Sequence, residues 1–200
     1  AIEADICVTA IVDPRAEQIR AEVADDPRFT NTLYVESAEA LLQRDELDGV
    51  FIGTRCSLHA QLAAKVLESS IPLYLEKPVC INDEQYALLK AASLGKTDRA
   101  VVSFPLRVSP LVREMKRIVD SGLLGQLTMV QAINNVPYGS VYYHSWYRDP
   151  VETGGLFLQK ATHDVDYIAY LTGEVPVDAF ARTTKLHYKG DKPAGLHCPD

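Results

Sequence analysis

The sequence predicts an α/β protein: an incomplete Rossmann-like parallel-sheet domain over residues 1–105, then an α+β domain over residues 106–200 with a largely antiparallel sheet. Three observations predict it. Short, β-branched apolar runs alternate with helix-length segments through the first hundred residues, the texture of βαβ units. After Pro105 a longer segment alternates partially, as a sheet with one wet face requires. An acid, Asp13, ends the first apolar run, where doubly wound dinucleotide folds place the ribose-binding carboxylate.

The elements follow in order. Residues 6–12 are a near-continuous apolar run and predict a buried parallel strand. Asp13-Pro14 stops it, and residues 15–23 predict a helix. Residues 33–35 predict a second strand, and Ser37 an N-cap for a helix over 38–44. Strands are expected at 49–54, 72–76 and 100–104, alternating with helices at 58–69 and 83–93. Beyond Pro105 the spacing predicts an amphipathic helix over 110–121, stopped by Gly122 and Gly125. A strand over 127–136, an aromatic loop over 137–151, a helix over 162–171 and a strand over 176–188 complete the reading. No internal repeat occurs.

If Asp13 is the ribose acid, the glycine fingerprint belongs about 20 residues earlier, before Ala1. The chain is therefore expected to begin inside its first domain, with Ala1 to Ala4 the tail of a crossover helix.

Composition narrows the function. A net charge of −7 without a Lys/Arg cluster argues against a nucleic-acid partner. No apolar run reaches the roughly 18 residues of a membrane span. The four cysteines (Cys7, Cys56, Cys80 and Cys198) stand singly, which suits a reducing, cytoplasmic setting rather than a disulfide framework, and no metal-ligand spacing occurs. Cys7 and Cys80 are expected to be small core residues.

Three segments carry chemistry. The first is Leu47-Asp48-Gly49-Val50-Phe51-Ile52-Gly53-Thr54, with His59 five residues later. The second is Glu76-Lys77-Pro78 at a strand end, and the third runs from Gly154-Gly155 through Gln159, Lys160 and His163 to Asp166. Open α/β sheets bind ligands at the carboxyl ends of their strands. A lysine there can hold a developing oxyanion, or can simply stop a strand beside a turn proline; Pro78 admits a cis bond. On a helix, Gln159, Lys160, His163 and Asp166 lie on or near one face. An imidazole beside a lysine can relay a proton, or can hydrogen-bond backbone at a helix start. Gly154 and Gly155 allow close backbone approach.

In order and spacing these segments resemble the Gfo/Idh/MocA oxidoreductases, the glucose-fructose oxidoreductase and inositol dehydrogenase type. Arg107 and Ser121-Gly122-Leu123-Leu124-Gly125 are lesser matches. The resemblance covers essentially the whole chain. It implies hydride transfer between NAD or NADP and a secondary alcohol of a sugar or cyclic polyol, with Lys77, His163, Gln159 and Lys160 catalytic. It further implies cofactor contacts at Asp13, Arg15, Thr54, Arg55, His59, Glu76, Lys77 and Pro78, and substrate contacts at Arg107, Trp146 and Asp166. Asp13 suits the two ribose hydroxyls of NAD, whereas Arg15 suits the 2′-phosphate of NADP. A homodimer or homotetramer is implied as well.

The chain departs from the family pattern at Gln159, where the family has an aspartate. An amide binds a hydroxyl but takes no proton at neutral pH. Lys160 offers charge in its place, and a non-catalytic nucleotide- or sugar-binding regulator stands as the alternative. The rings of Tyr138, Tyr142, Tyr143, Trp146 and Tyr147 suit either a sugar face or a subunit interface.

Overall fold

The computed structural model describes residues 6–136 and 140–184. The expectations placed on Ala1 to Ala4, Tyr138, the far end of the 176–188 strand and Cys198 lie outside those residues.

The first half alternates as its texture predicts. Strand β1 (Ala10–Ile11) leads to helix α1 (Ala16–Glu22), β2 (Leu33–Tyr34), α2 (Ala38–Leu42), β3 (Val50–Ile52), α3 (Cys56–Glu68), β4 (Leu73–Leu75), α4 (Asp83–Ser93) and β5 (Ala100–Val102). Every ladder is parallel. β1 pairs with β2, and β4 sits between β3 and β5, with Val50 opposite Leu73 and Leu73 opposite Ala100. In the doubly wound order 3-2-1-4-5-6, β1-β2 match the pairing of strands 2–3 and β3-β4-β5 that of strands 4–6.

Local chemistry sets the helix starts. The Ser37 hydroxyl accepts from Ala40 N at 3.1 Å and the Asn82 side chain from Gln85 N at 2.9 Å, each filling one orphan donor of the first turn. Ser109 does the same for α5 (Pro110–Asp120), where Pro110 at the first position forfeits no helical bond.

The core lies between the three-stranded sheet and α3. Ile52, Leu73 and Leu75 alternate inward and meet Ala63, Val66 and Leu67. Burying each large aliphatic chain contributes about 1.5–3 kcal/mol. The alternate residues Phe51, Tyr74 and Val101 stay exposed, so these strands are covered on one face only among the described residues. Cys56 joins the buried set, but Cys7 is exposed and Cys80 half-buried, which corrects the expectation that both are core residues.

The second half differs more. α6 (Ser140–His144) occupies the predicted loop and α7 (Pro150–Thr153) starts at its end, with α7 capped by Asp149 through a 2.9 Å bond from Val151 N. Asp149-Pro150 is an N-cap and first-turn pair that the sequence reading passed over. α8 (Leu156–Thr172) begins six residues before its predicted start. No Ser, Thr or Asp announces it; the break is made by Gly154 and Gly155 at φ of +71° and +94°.

Residues 127–136 and 176–184 form no ladder. The expected antiparallel sheet is therefore not formed among the described residues. A strand becomes regular only by pairing its N–H and C=O groups with a neighbour, and neither segment has one there.

Candidate active site

The site is assembled where β3 and β4 end. Leu75 continues into Glu76-Lys77, and the Lys77–Pro78 peptide bond is cis. Glu76 N donates to Ile52 O at 2.9 Å, which carries the ladder one residue past the strand. Neighbouring helices hold the following turn. His59, on α3 and only 1% exposed, has Nδ1 at 2.8 Å from Pro78 O and Nε2 at 3.0 Å from Thr54 O. Gln85, on α4, accepts from Ile81 N at 3.0 Å and donates to Ser57 O at 2.8 Å.

From this frame Lys77 crosses to the second half. Its Nζ donates to the backbone oxygen of Gln159 at 2.6 Å, joining residues 82 positions apart. Gln159 lies one helical turn before His163 on α8, and the Lys77 ammonium is near enough to act electrostatically on the imidazole. Burial lowers the Lys77 pKa, and Lys160 lowers it further. Burial likewise lowers the His163 pKa, reinforced by Lys77 and then Lys160 and opposed by Asp164 and Asp166. Phe104 meets the His163 ring edge-on at 6.1 Å. Gln159 Oε1, Thr162 Oγ1 and His163 Nδ1 are buried there without a hydrogen-bond partner, polar capacity of the kind a polyol or a carboxamide satisfies.

An aromatic wall completes the site. Tyr147 stacks on Trp146 at 4.1 Å and meets Tyr142 edge-on at 5.9 Å, while the Lys160 ammonium lies 5.1 Å from the Tyr142 ring centre. Burial raises the Tyr147 pKa, and Cys56, Tyr142 and Glu76 add to the effect, so its hydroxyl remains protonated at neutral pH. The sequence singled out Trp146; Tyr147 was one ring in an aromatic run, with no local signal to set it apart.

Other predicted residues are placed differently. His59 is buried, and its two ring nitrogens each face a backbone carbonyl of a neighbouring loop. Arg107 and Asp166, both proposed for substrate, hold each other: the guanidinium donates to both carboxylate oxygens at 2.6–3.1 Å, and the Asp166 side chain is 7% exposed. Arg55 pairs with Glu152 at 2.7 Å and lies 5.7 Å from the Trp146 ring centre, while Ser57 donates to the other Glu152 oxygen at 2.5 Å. Glu152 was missed because its partners stand about a hundred positions away and no periodicity encodes that contact. Asp13 ends β1 as expected, with its carboxylate held below the usual range by hydrogen bonds from Arg15. Thr54 is exposed at the end of β3, its hydroxyl donating to Arg55 O at 3.3 Å.

The glycine turn before α8 fixes how closely the halves meet. A Cβ on Gly154 would lie 3.1 Å from both the Ile81 oxygen and the Ile81 Cβ, and 2.6 Å from Leu158 Cδ2. Gly154→Ala combines that clash with a left-handed φ and is expected to cost about 2–4 kcal/mol. Thermal unfolding should show a large fall in Tm, and Lys77 should lose its register against α8.

Residues 3–104 match the oxidoreductase family with an NAD-binding Rossmann fold, and residues 112–196 match the GFO/IDH/MocA C-terminal domain. The chain is 28% identical over 179 residues to the scyllo-inositol 2-dehydrogenase (NAD(+)) of Bacillus subtilis, covering 84% of this chain and 46% of that protein. The fold is shared with myo-inositol dehydrogenase of Lactobacillus casei, solved with NAD(H) and myo-inositol (TM-score 0.65, 22% identity, 84% of this chain and 47% of that one). It is also shared with a super-repressor mutant of Gal80p from Saccharomyces cerevisiae (TM-score 0.65, 16% identity, 86% and 46%). The chain spans about half the length of the curated relatives it matches.

Proposed function

Because the chain belongs to the Gfo/Idh/MocA oxidoreductase family, we propose that it is the core of an NAD-dependent dehydrogenase acting on a secondary alcohol of a sugar or cyclic polyol. Residues 1–105 serve the cofactor and residues 106–200 the substrate. The observation that carries the reading is the reach of Lys77 from the carboxyl end of β4 to α8, one turn from His163.

When bound, the nicotinamide supplies the hydride acceptor. Asp13 offers its carboxylate to ribose hydroxyls, as the end of the second strand of the doubly wound order should in this fold. Thr54 and Glu76, at neighbouring strand ends, line the same edge. The substrate hydroxyl lies between Lys77 Nζ and the His163 imidazole. Lys77 stabilises the negative charge that grows on the oxygen as the C–H bond yields its electron pair, and burial strengthens that interaction. His163 takes the hydroxyl proton. The alcohol becomes a ketone and loses two electrons and two protons: one proton leaves with the hydride, the other rests on the imidazole. Tyr142, Trp146 and Tyr147 offer ring faces to the sugar. The protein assembles as a homodimer or homotetramer.

Incubating purified full-length protein with NAD and a panel of sugars and cyclitols should yield NADH. Tight NAD binding without turnover, unchanged by Lys77→Ala, would instead favour a regulatory member, the reading that Gln159 in the acid position supports.

A further inference from the structure

Lys77 and Lys160 both stand beside the first turns of α8, one bonded to the Gln159 carbonyl and the other lying over Tyr142. Among the described residues neither forms an ion pair. The carboxylates close by form no salt bridge with either lysine among the described residues. Asp166 is held from two sides by Arg107, Asp164 accepts from the Asn134 amide at 2.9 and 3.1 Å, and Glu152 is shared by Arg55 and Ser57. Glu76 acts on Lys77 more weakly than Lys160 does.

Position 159 decides the sign. A carboxylate there would add a negative charge on the residue whose backbone oxygen holds Lys77 and next in sequence to Lys160. The residue is instead an amide, 5% exposed, with a buried Oε1 that has no partner. Two ammoniums and an imidazole thus gather around the first turns of α8, and among the described residues neither ammonium has a salt-bridged carboxylate. Like charges at such separation repel, and an anion between them relieves both.

We propose that the substrate brings the partner of Lys160: a sugar bearing a carboxylate, of the uronate class, whose carboxylate pairs with Lys160 while Lys77 holds the reacting oxygen. A phosphate fits less well. Phosphate sites draw on several backbone N–H groups or an arginine fork, and here the arginines nearby, Arg55 and Arg107, are bonded to Glu152 and Asp166. The aromatic wall beside Lys160 suits the sugar ring that carries the acid.

This inference rests on the dehydrogenase reading, and the test separates the two. Full-length protein holding NADH is titrated by calorimetry with a hexose, its uronate and its 6-phosphate, and NAD-dependent turnover of the same three is measured. The uronate should exceed the hexose by about ten- to a hundredfold in affinity and in kcat/KM. In Lys160→Met that ratio should fall close to one, whereas Lys160→Arg, which keeps the charge, should preserve it. Each ratio is taken within a single variant, so a loss of folded protein cancels. Tight uronate binding without turnover would support the anion site and remove the dehydrogenase reading. Equal affinity for uronate and hexose, preference for the phosphate, no uronate binding, or a ratio indifferent to Lys160→Met would each overturn the proposal.

Discussion

Lys77→Met is expected to lower kcat/KM by about a hundred- to a thousandfold while changing substrate affinity much less. Methionine keeps the unbranched stem that packs along the cleft and removes the charge. What is lost is an interaction that strengthens as the alcohol oxygen becomes negative, so the loss falls on the transition state; removing one preorganised oxyanion donor typically has this effect. The half-buried setting of Lys77 and its bond to Gln159 O fix the ammonium before substrate arrives. Steady-state kinetics with NAD and the best substrate of the panel would check it. A variant that raised KM with kcat intact would mean that Lys77 only binds.

His163→Asn is expected to cost about a hundred- to ten-thousandfold, the usual worth of a positioned general base. Its pH dependence is the sharper signature. An imidazole accepts a proton only when neutral. Burial, then Lys77 and Lys160, hold its pKa below the ordinary value of about 6.5. Alcohol oxidation should therefore stay level as pH falls through about 6.5 and drop only beneath it. Lys160→Met removes one lowering influence and should move that acid limb upward. The stability linkage has the same sign. The folded pKa lies below the unfolded one, so the unfolded chain binds more protons; the contribution of His163 is present above the unfolded value and is lost as pH falls toward the folded one. Denaturant midpoints across that window should flatten in His163→Asn.

The parallel half of the molecule was readable because its signals are local. Ser37 before Ala38 states a helix start within four residues, and the structure uses that cap. Asp13 and Lys77 were placed by the rule that ligands meet strand ends. The rest depended on distant partners. Nothing near Arg55 reveals Glu152, and nothing near Arg107 reveals that Asp166 will occupy it. The 127–136 alternation is a pattern without a ladder among the described residues, because sheet pairing is set by neighbours rather than by propensity. α8 was begun too late because its start is marked by backbone dihedrals at Gly154 and Gly155, not by a capping side chain.

A double-mutant cycle on kcat/KM, combining Lys77→Met with His163→Asn, tests the shared role of these two side chains most directly. Groups that act on one oxygen and its proton fail together, so the double variant should lose little more than the worse single one. Losses that simply multiply would mean that the ammonium and the imidazole work independently, and would contradict the account.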